Sequence, residues 1–66
     1  MEVKVKNINF GEKTVELQSG RAEELINKLN LNDDSVIIIG SDGKIYTKDE
    51  ILNDNKITIV EVFSGG

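Results

Sequence analysis

The stretch Ser19-Gly20-Arg21-Ala22-Glu23-Glu24-Leu25-Ile26-Asn27-Lys28-Leu29-Asn30 decides how this chain folds. Ala22, Leu25, Ile26 and Leu29 fall at i, i+3, i+4 and i+7, which places them on one apolar stripe of an α-helix. Ser19 or Gly20 stands where a cap belongs. Glu23 and Glu24 in the first turn and Lys28 in the last complement the helix macrodipole. Asn30 suits the left-handed residue after a helix, and Leu31 the apolar contact of a Schellman-type stop. A helix of about three turns with one apolar stripe needs a second layer to cover it, and the flanking sequence offers only strands.

Upstream, Met1, Val3 and Val5 alternate with Glu2, Lys4 and Lys6, the pattern of a half-buried strand. Ile8 and Phe10 take the opposite parity, which predicts a bulge or bend near Asn7 and then a turn over Asn9-Phe10-Gly11-Glu12, where Gly11 accepts a positive φ. Val15 and Leu17 alternate with Thr14, Glu16 and Gln18 in a return strand. Downstream, Asn32-Asp33-Asp34 reads as a loop. The continuous apolar run Val36 to Ile39 predicts a strand covered along most of its length. Asp42-Gly43 marks a hairpin into Lys44-Ile45-Tyr46-Thr47. Lys48 to Leu52 suffices for a single turn, and Asn53-Asp54-Asn55 is another. Lys56 to Val62 forms the last strand, with Ile57 and Ile59 on one face and Thr58, Val60 and Val62 on the other. The order strand, strand, helix, strand, strand, strand predicts a two-layer α+β domain over residues 1–63, four to five strands packed on one helix, followed by a tail at 64–66. The second sheet face is left open. It carries Glu2, Lys4 and Lys6 at one strand and Val60 and Val62 at another, an apolar spot that is a candidate docking surface.

Composition narrows the function. Among 66 residues there are 8 basic and 12 acidic side chains, a net charge of −4, and no histidine, cysteine or tryptophan. A thiolate nucleophile, a histidine base, a disulfide and the usual zinc site are thereby excluded. A domain of this size buries only about 60% of its unfolded surface, and a single core below about 70 residues rarely supplies more than roughly 3 to 5 kcal/mol of net stability. A catalytic pocket of about 300 Å³ would consume that core. The 38% hydrophobic and 30% charged shares are those of a chain that folds rather than one that stays disordered. The acidic balance and the scatter of seven lysines and one arginine argue against nucleic acid and favour a basic partner surface. With no apolar leader and no long apolar run, the expectation is a cytoplasmic protein without membrane partners.

The element order, the Asn53-Asp54-Asn55 turn, and the run Lys56-Ile57-Thr58-Ile59-Val60-Glu61-Val62-Phe63-Ser64-Gly65-Gly66 together resemble the ubiquitin-like sulfur carriers, the ThiS proteins of thiamine synthesis and the MoaD proteins of molybdopterin synthesis. The resemblance spans nearly the whole chain and is strongest over its last fourteen residues. The family turn is usually Asp-Gly-Asp followed by a basic residue and Ile-x-Ile-Val. Here the turn is relaxed, and Lys56, Ile57, Ile59 and Val60 match. Ser64-Gly65-Gly66 is similar to many MoaD tails, whereas the length is nearer ThiS.

This resemblance implies a β-grasp fold, with first and last strands parallel and adjacent in the middle of a mixed sheet. It implies a carrier rather than an enzyme. An E1-like adenylating enzyme binds the carrier and Mg-ATP, and the carboxylate of Gly66 is adenylated. A sulfur donor, either a cysteine desulfurase or a persulfide carrier, converts it to a thiocarboxylate, and a sulfur-accepting synthase or a tRNA-thiolation enzyme consumes it. The carrier binds no cofactor of its own; ATP and Mg belong to the partner. The bare chain agrees with this division of labour, since it lacks a glycine-rich phosphate loop. Gly65 and Gly66 have no Cβ and can thread a narrow channel, and Ser64 to Gly66 extended reach about 10 Å. Val60, Val62, Phe63 and Ser64 are the candidate partner-binding residues, although Val60, Val62 and Phe63 equally suit ordinary edge packing. The rival reading is a ubiquitin-like modifier joined through Gly66 to lysines; a third is a plain binding domain indifferent to loss of the two glycines. The acidic residues Asp33, Asp34, Asp42, Asp49 and Glu50 lack calcium-loop spacing and read as solvated loops, so no metal is expected. Tyr46 reads as cover for a sheet edge.

Overall fold

The computed structural model of the protein describes residues 1–62. In chain order the elements are β1 (Glu2–Asn7), β2 (Gly11–Glu16), α1 (Ala22–Lys28), a 3-10 turn (Asp33–Ser35), β3 (Val36–Gly40), β4 (Ile45–Tyr46) and β5 (Lys56–Glu61). The strands form one mixed five-stranded sheet in the order β2-β1-β5-β3-β4. β1 and β5 run parallel at its centre, and every other neighbouring pair is antiparallel. The architecture is therefore α+β, with one helix and one sheet.

Alternation decides which side of the sheet meets the helix. Val3 and Val5 from β1, Ile38 from β3, Tyr46 from β4 and Ile57 and Ile59 from β5 join Leu17, Leu52 and the helix residues Ala22, Leu25 and Ile26 in a single buried cluster. Each of the larger aliphatic side chains contributes about 1.5 to 3 kcal/mol on leaving water. Leu29, the last member of the helical stripe, packs half-buried against the same cluster. Tyr46 is thus a core residue, with the Lys44 ammonium 4.7 Å from its ring centroid.

The helix stops as its sequence indicates. Asn30 has φ 59; its N–H donates to Asn27 O at 3.1 Å and the Leu31 N–H to Ile26 O at 3.0 Å, the two bonds of a Schellman motif. Its start differs. Neither Ser19 nor Gly20 is the cap: Arg21 is, in extended conformation and without a side-chain cap bond, and the helix has seven residues, about two turns rather than three. The reason is competition from the 47–52 segment. Arg21 forms an antiparallel bridge with Ile51, and Gly20, at φ +75, offers its carbonyl to the Leu52 N–H at 2.8 Å. The first helical N–H groups, of Ala22 and Glu23, then donate to the carbonyls of Glu50 and Lys48 at 3.0 and 2.9 Å. Backbone thus does the work of a capping side chain.

Two further expectations are corrected. β1 carries no bulge: its register with β2 is unbroken from Glu2↔Glu16 to Asn7↔Gly11, so the turn is Ile8-Asn9-Phe10, one residue earlier than the spacing predicts. Asn7 keeps the inward parity because its amide is satisfied, donating to Ile59 O at 3.0 Å and accepting from the Asn9 N–H at 2.7 Å. Gly11 does take a positive φ, +79. In β3, Ile37 faces away from the helix and is 36% exposed, so the apolar run is covered on one side only.

Candidate functional site

The open face of the sheet is built by the outward members of the same strands. Across β5 and β3, Val60 stands opposite Ile37 and Thr58 opposite Ile39; across β3 and β4, Ile39 stands opposite Ile45. Residues directly opposite share a face, so Ile37, Ile39, Ile45 and Val60 are contiguous there. Ile45 is 63% exposed, Val60 42% and Val62 46%. Val62 continues past β5, its N–H donating to Ser35 O at 2.6 Å. This half of the face is apolar.

The other half is charged. Parallel pairing puts Lys4 beside Lys56 and Lys6 beside Thr58. Lys4, Lys6 and Lys56 line one shallow depression with Glu12, Ser41 and Thr58. None of the ion pairs formed by described residues uses these three ammonium groups. The acidic residues of this face lie at its β1–β2 margin, with Glu2 opposite Glu16 and Glu12 opposite Lys6. The lysines are therefore not scattered. A parallel contact between the two ends of the chain collects three of the seven on one surface, which they share with Glu2, Glu12 and Glu16.

Loops around the face are held by carboxylates. Asp54, in the turn before β5, accepts from the Ser41 hydroxyl at 2.5 Å, the Ser41 N–H at 2.7 Å and the Lys56 N–H at 2.9 Å. The Ser41 hydroxyl first, then the two N–H groups, lower its pKa. This ties the β3–β4 turn to the start of β5. On the helix side Glu24 accepts from the Gln18 and Ser19 N–H groups and the Ser19 hydroxyl, each at 2.7 Å. Its pKa falls to about 2, the Gln18 N–H being the largest cause and the Ser19 hydroxyl the next. Glu24 is thus more than a first-turn charge; it fastens the segment that enters the helix. Glu50 accepts from the Thr47 N–H at 2.9 Å and pairs with Lys44 at 3.3 Å; those contacts, the Thr47 N–H first, lower its pKa too.

Among the described residues no three His, Cys, Asp or Glu side chains gather into a group able to hold a metal ion, and no helix is long and apolar enough to cross a membrane. Of the sequence-predicted site residues, Val60 and Val62 lie on the open face; Phe63, Ser64, Gly65 and Gly66 lie outside the described residues. Missed from the sequence were Ile37, Ile39, Ile45 and Lys56, whereas Lys4 and Lys6 lie on the open face as their alternation predicts. For the isoleucines a signal existed: a continuous apolar run in a sheet covered on one side must turn alternate members outward. For Lys56 none did, since its neighbours follow only from the strand order.

No protein-family model matches the chain. A protein of Archaeoglobus fulgidus, described only as an uncharacterized protein, is similar to it at 28% identity, the alignment covering all of both chains.

Proposed function

We propose that this chain is a sulfur carrier of the ubiquitin-like, β-grasp type. The observation that carries the reading is positional. β5 occupies the sheet centre beside β1, passes the apolar half of the open face at Val60 and Val62, and continues in sequence into Phe63-Ser64-Gly65-Gly66. A partner seated on that face is adjacent to the point from which the Gly-Gly segment departs. The parallel pairing of first and last strands on one helix supports the β-grasp assignment.

In the proposed cycle the Gly66 carboxylate attacks the α-phosphorus of ATP held with Mg by an E1-like adenylating enzyme, and pyrophosphate leaves. A carboxylate is a poor electrophile; the mixed anhydride with AMP is a good one. Sulfide adds to the acyl carbon and AMP departs, leaving a thiocarboxylate. With a persulfide donor the same attack gives an acyl disulfide, which a second thiol of the donor cleaves. The chain contributes the carboxylate, the narrow glycine approach and the docking surface; the phosphate chemistry belongs to the partner. The carrier itself is not an enzyme. The sulfur passes on to a synthase in cofactor formation, of thiamine or molybdopterin type, or to tRNA thiolation, in a reducing cytoplasmic setting. The reading requires Gly66 to be the last residue of the working protein.

The test is intact mass after incubation with the cognate E1-like enzyme, Mg-ATP and a sulfur source. The expected result is a gain equal to one oxygen-for-sulfur exchange, lost when Gly65 and Gly66 are removed. No gain with an enzyme active on another carrier overturns the reading. Covalent conjugates to lysines that depend on the same two glycines, without any thiocarboxylate, would establish the modifier alternative instead.

A further inference from the structure

We propose that Asn9 and Glu61 are positioning residues: joined through Asn7, they fix the end of β5 and thereby set the anchor from which the Gly66 carboxylate is presented to an adenylating enzyme. The proposal rests on the carrier reading above and concerns what that reading leaves open, how the carboxylate is aimed.

β5 outruns its neighbour on one side. β1 pairs with it only from Lys4↔Lys56 to Lys6↔Thr58 and ends at Asn7, so Val60 and Glu61 have β3 on one side and, among the described residues, no strand on the other. Side chains stand where that strand is missing. Asn7 Nδ2 donates to Ile59 O at 3.0 Å, Asn7 Oδ1 accepts from the Asn9 N–H at 2.7 Å, and Asn9 Nδ2 donates to Glu61 Oε2. On the β3 side the Val62 N–H donates to Ser35 O at 2.6 Å. The tip of β5 is thus held from both sides, up to the last residue before Phe63-Ser64-Gly65-Gly66.

The first link of this chain serves the core, and the last does not. Asn7 is the polar side chain buried among the described residues, and burying an amide requires that its bonds be made. The Asn9–Glu61 bond is exposed and satisfies no buried group, and surface contacts of that kind matter little to folding. Its consequence is geometric. Glu61 shares the inward parity of Ile57 and Ile59, so the contact lies on the opposite side of the sheet from Val60, and a partner on the open face does not touch it. Its effect on the reaction therefore comes through position: a carboxylate reaching for a phosphorus atom from a fixed anchor meets it in fewer unproductive geometries than one whose anchor frays.

The experiment measures ATP–pyrophosphate exchange by the E1-like adenylating enzyme of the same genome, against the concentration of the full chain, for the parent, Asn9→Asp, Glu61→Ala, Glu61→Gln and the double variant Asn9→Asp with Glu61→Gln. Asn9→Asp sets carboxylate against carboxylate. Glu61→Gln keeps an acceptor for Asn9, and in the double variant the bond runs the other way, from the introduced amide to the introduced carboxylate. Expected is a fall in kcat of about tenfold in Asn9→Asp and Glu61→Ala, with KM for the chain changed by less than about twofold, and parent values in the other two variants. Amide hydrogen exchange at Val62, read without any partner, should accelerate in Asn9→Asp and Glu61→Ala alone, and far-ultraviolet circular dichroism should match the parent throughout. Equal kcat in all the proteins, a raised KM in place of a lowered kcat, no restoration in the double variant, unchanged exchange at Val62, or unfolding of Asn9→Asp or Glu61→Ala would each overturn the positioning role and leave the carrier standing. No pyrophosphate exchange with the parent chain, from an enzyme active on another carrier, overturns the carrier reading and this role with it.

Discussion

The same strands make two unlike faces. Toward the helix, Val3, Val5, Ile38, Ile57 and Ile59 are almost wholly buried; one residue along, Lys4, Lys6, Ile37, Lys56 and Val60 face outward. The inward set is dictated by folding, because a domain this small has no apolar area to spare. The outward set is under no such demand. Its isoleucines and valines do nothing for the core, and in the proposed reading a partner covers them.

The sharpest way to break this contrast is on the inward side. Leu25→Ala removes a fully buried side chain and should cost about 2 to 5 kcal/mol. That is comparable with the roughly 3 to 5 kcal/mol such a core supplies in total. Loss of the far-ultraviolet helix signal at 25 °C is expected; a cooperative, near-parent melting curve would show that the helix layer is not what holds the sheet.

Gly20→Ala should have the next largest effect, about 1 to 2 kcal/mol, read as a lower urea midpoint. The residue sits at φ +75, and an added Cβ would also meet Met1 Sδ at 3.4 Å.

Acid sharpens the comparison differently, since the depressed carboxylates hold the loops. Glu24 titrates at about 2 in the fold against an ordinary 4.5, and Glu50 and Asp54 are also lowered. A depressed acid favours the folded state fully above its ordinary value and loses that contribution as pH falls through its folded value. Unfolding midpoints should therefore drop as pH goes from about 4.5 to about 2. In Glu24→Gln the drop should be shallower from a lower starting point. An unchanged slope would mean that the Gln18 and Ser19 N–H bonds do not persist in solution.

The smallest effect on stability, less than about 0.5 kcal/mol, is expected from Val60→Thr and Ile45→Thr on the open face. Both should nevertheless weaken association with the adenylating enzyme. Variants that destabilise the fold as strongly as an inward substitution would erase the distinction between the faces.

Much of the fold is legible in the sequence. The stripe Ala22-Leu25-Ile26-Leu29, the Asn30 stop and the Asp42-Gly43 hairpin are local features, and local chemistry decides them. The helix start was not legible, because the donors of Ala22 and Glu23 are taken by carbonyls of Lys48 and Glu50, distant in sequence. The parity break at Ile8 suggests a bulge only if Ile8 turns inward; instead the strand ends at Asn7, whose buried amide is satisfied, and Ile8 stays exposed in the turn. Of the open face, Val60, Val62, Lys4 and Lys6 are legible in the sequence. Lys56 beside Lys4 is not, since the two meet only through the parallel contact of β1 and β5.

The most direct measurement is the intact mass of the protein isolated from its own cells, with and without an alkylating reagent selective for thioacids. The account predicts a chain ending at Gly66, a fraction of which carries one sulfur in place of oxygen and is captured by the reagent. A chain continuing beyond Gly66, or one ending there with no reactive sulfur form in cells actively using the pathway, would contradict it.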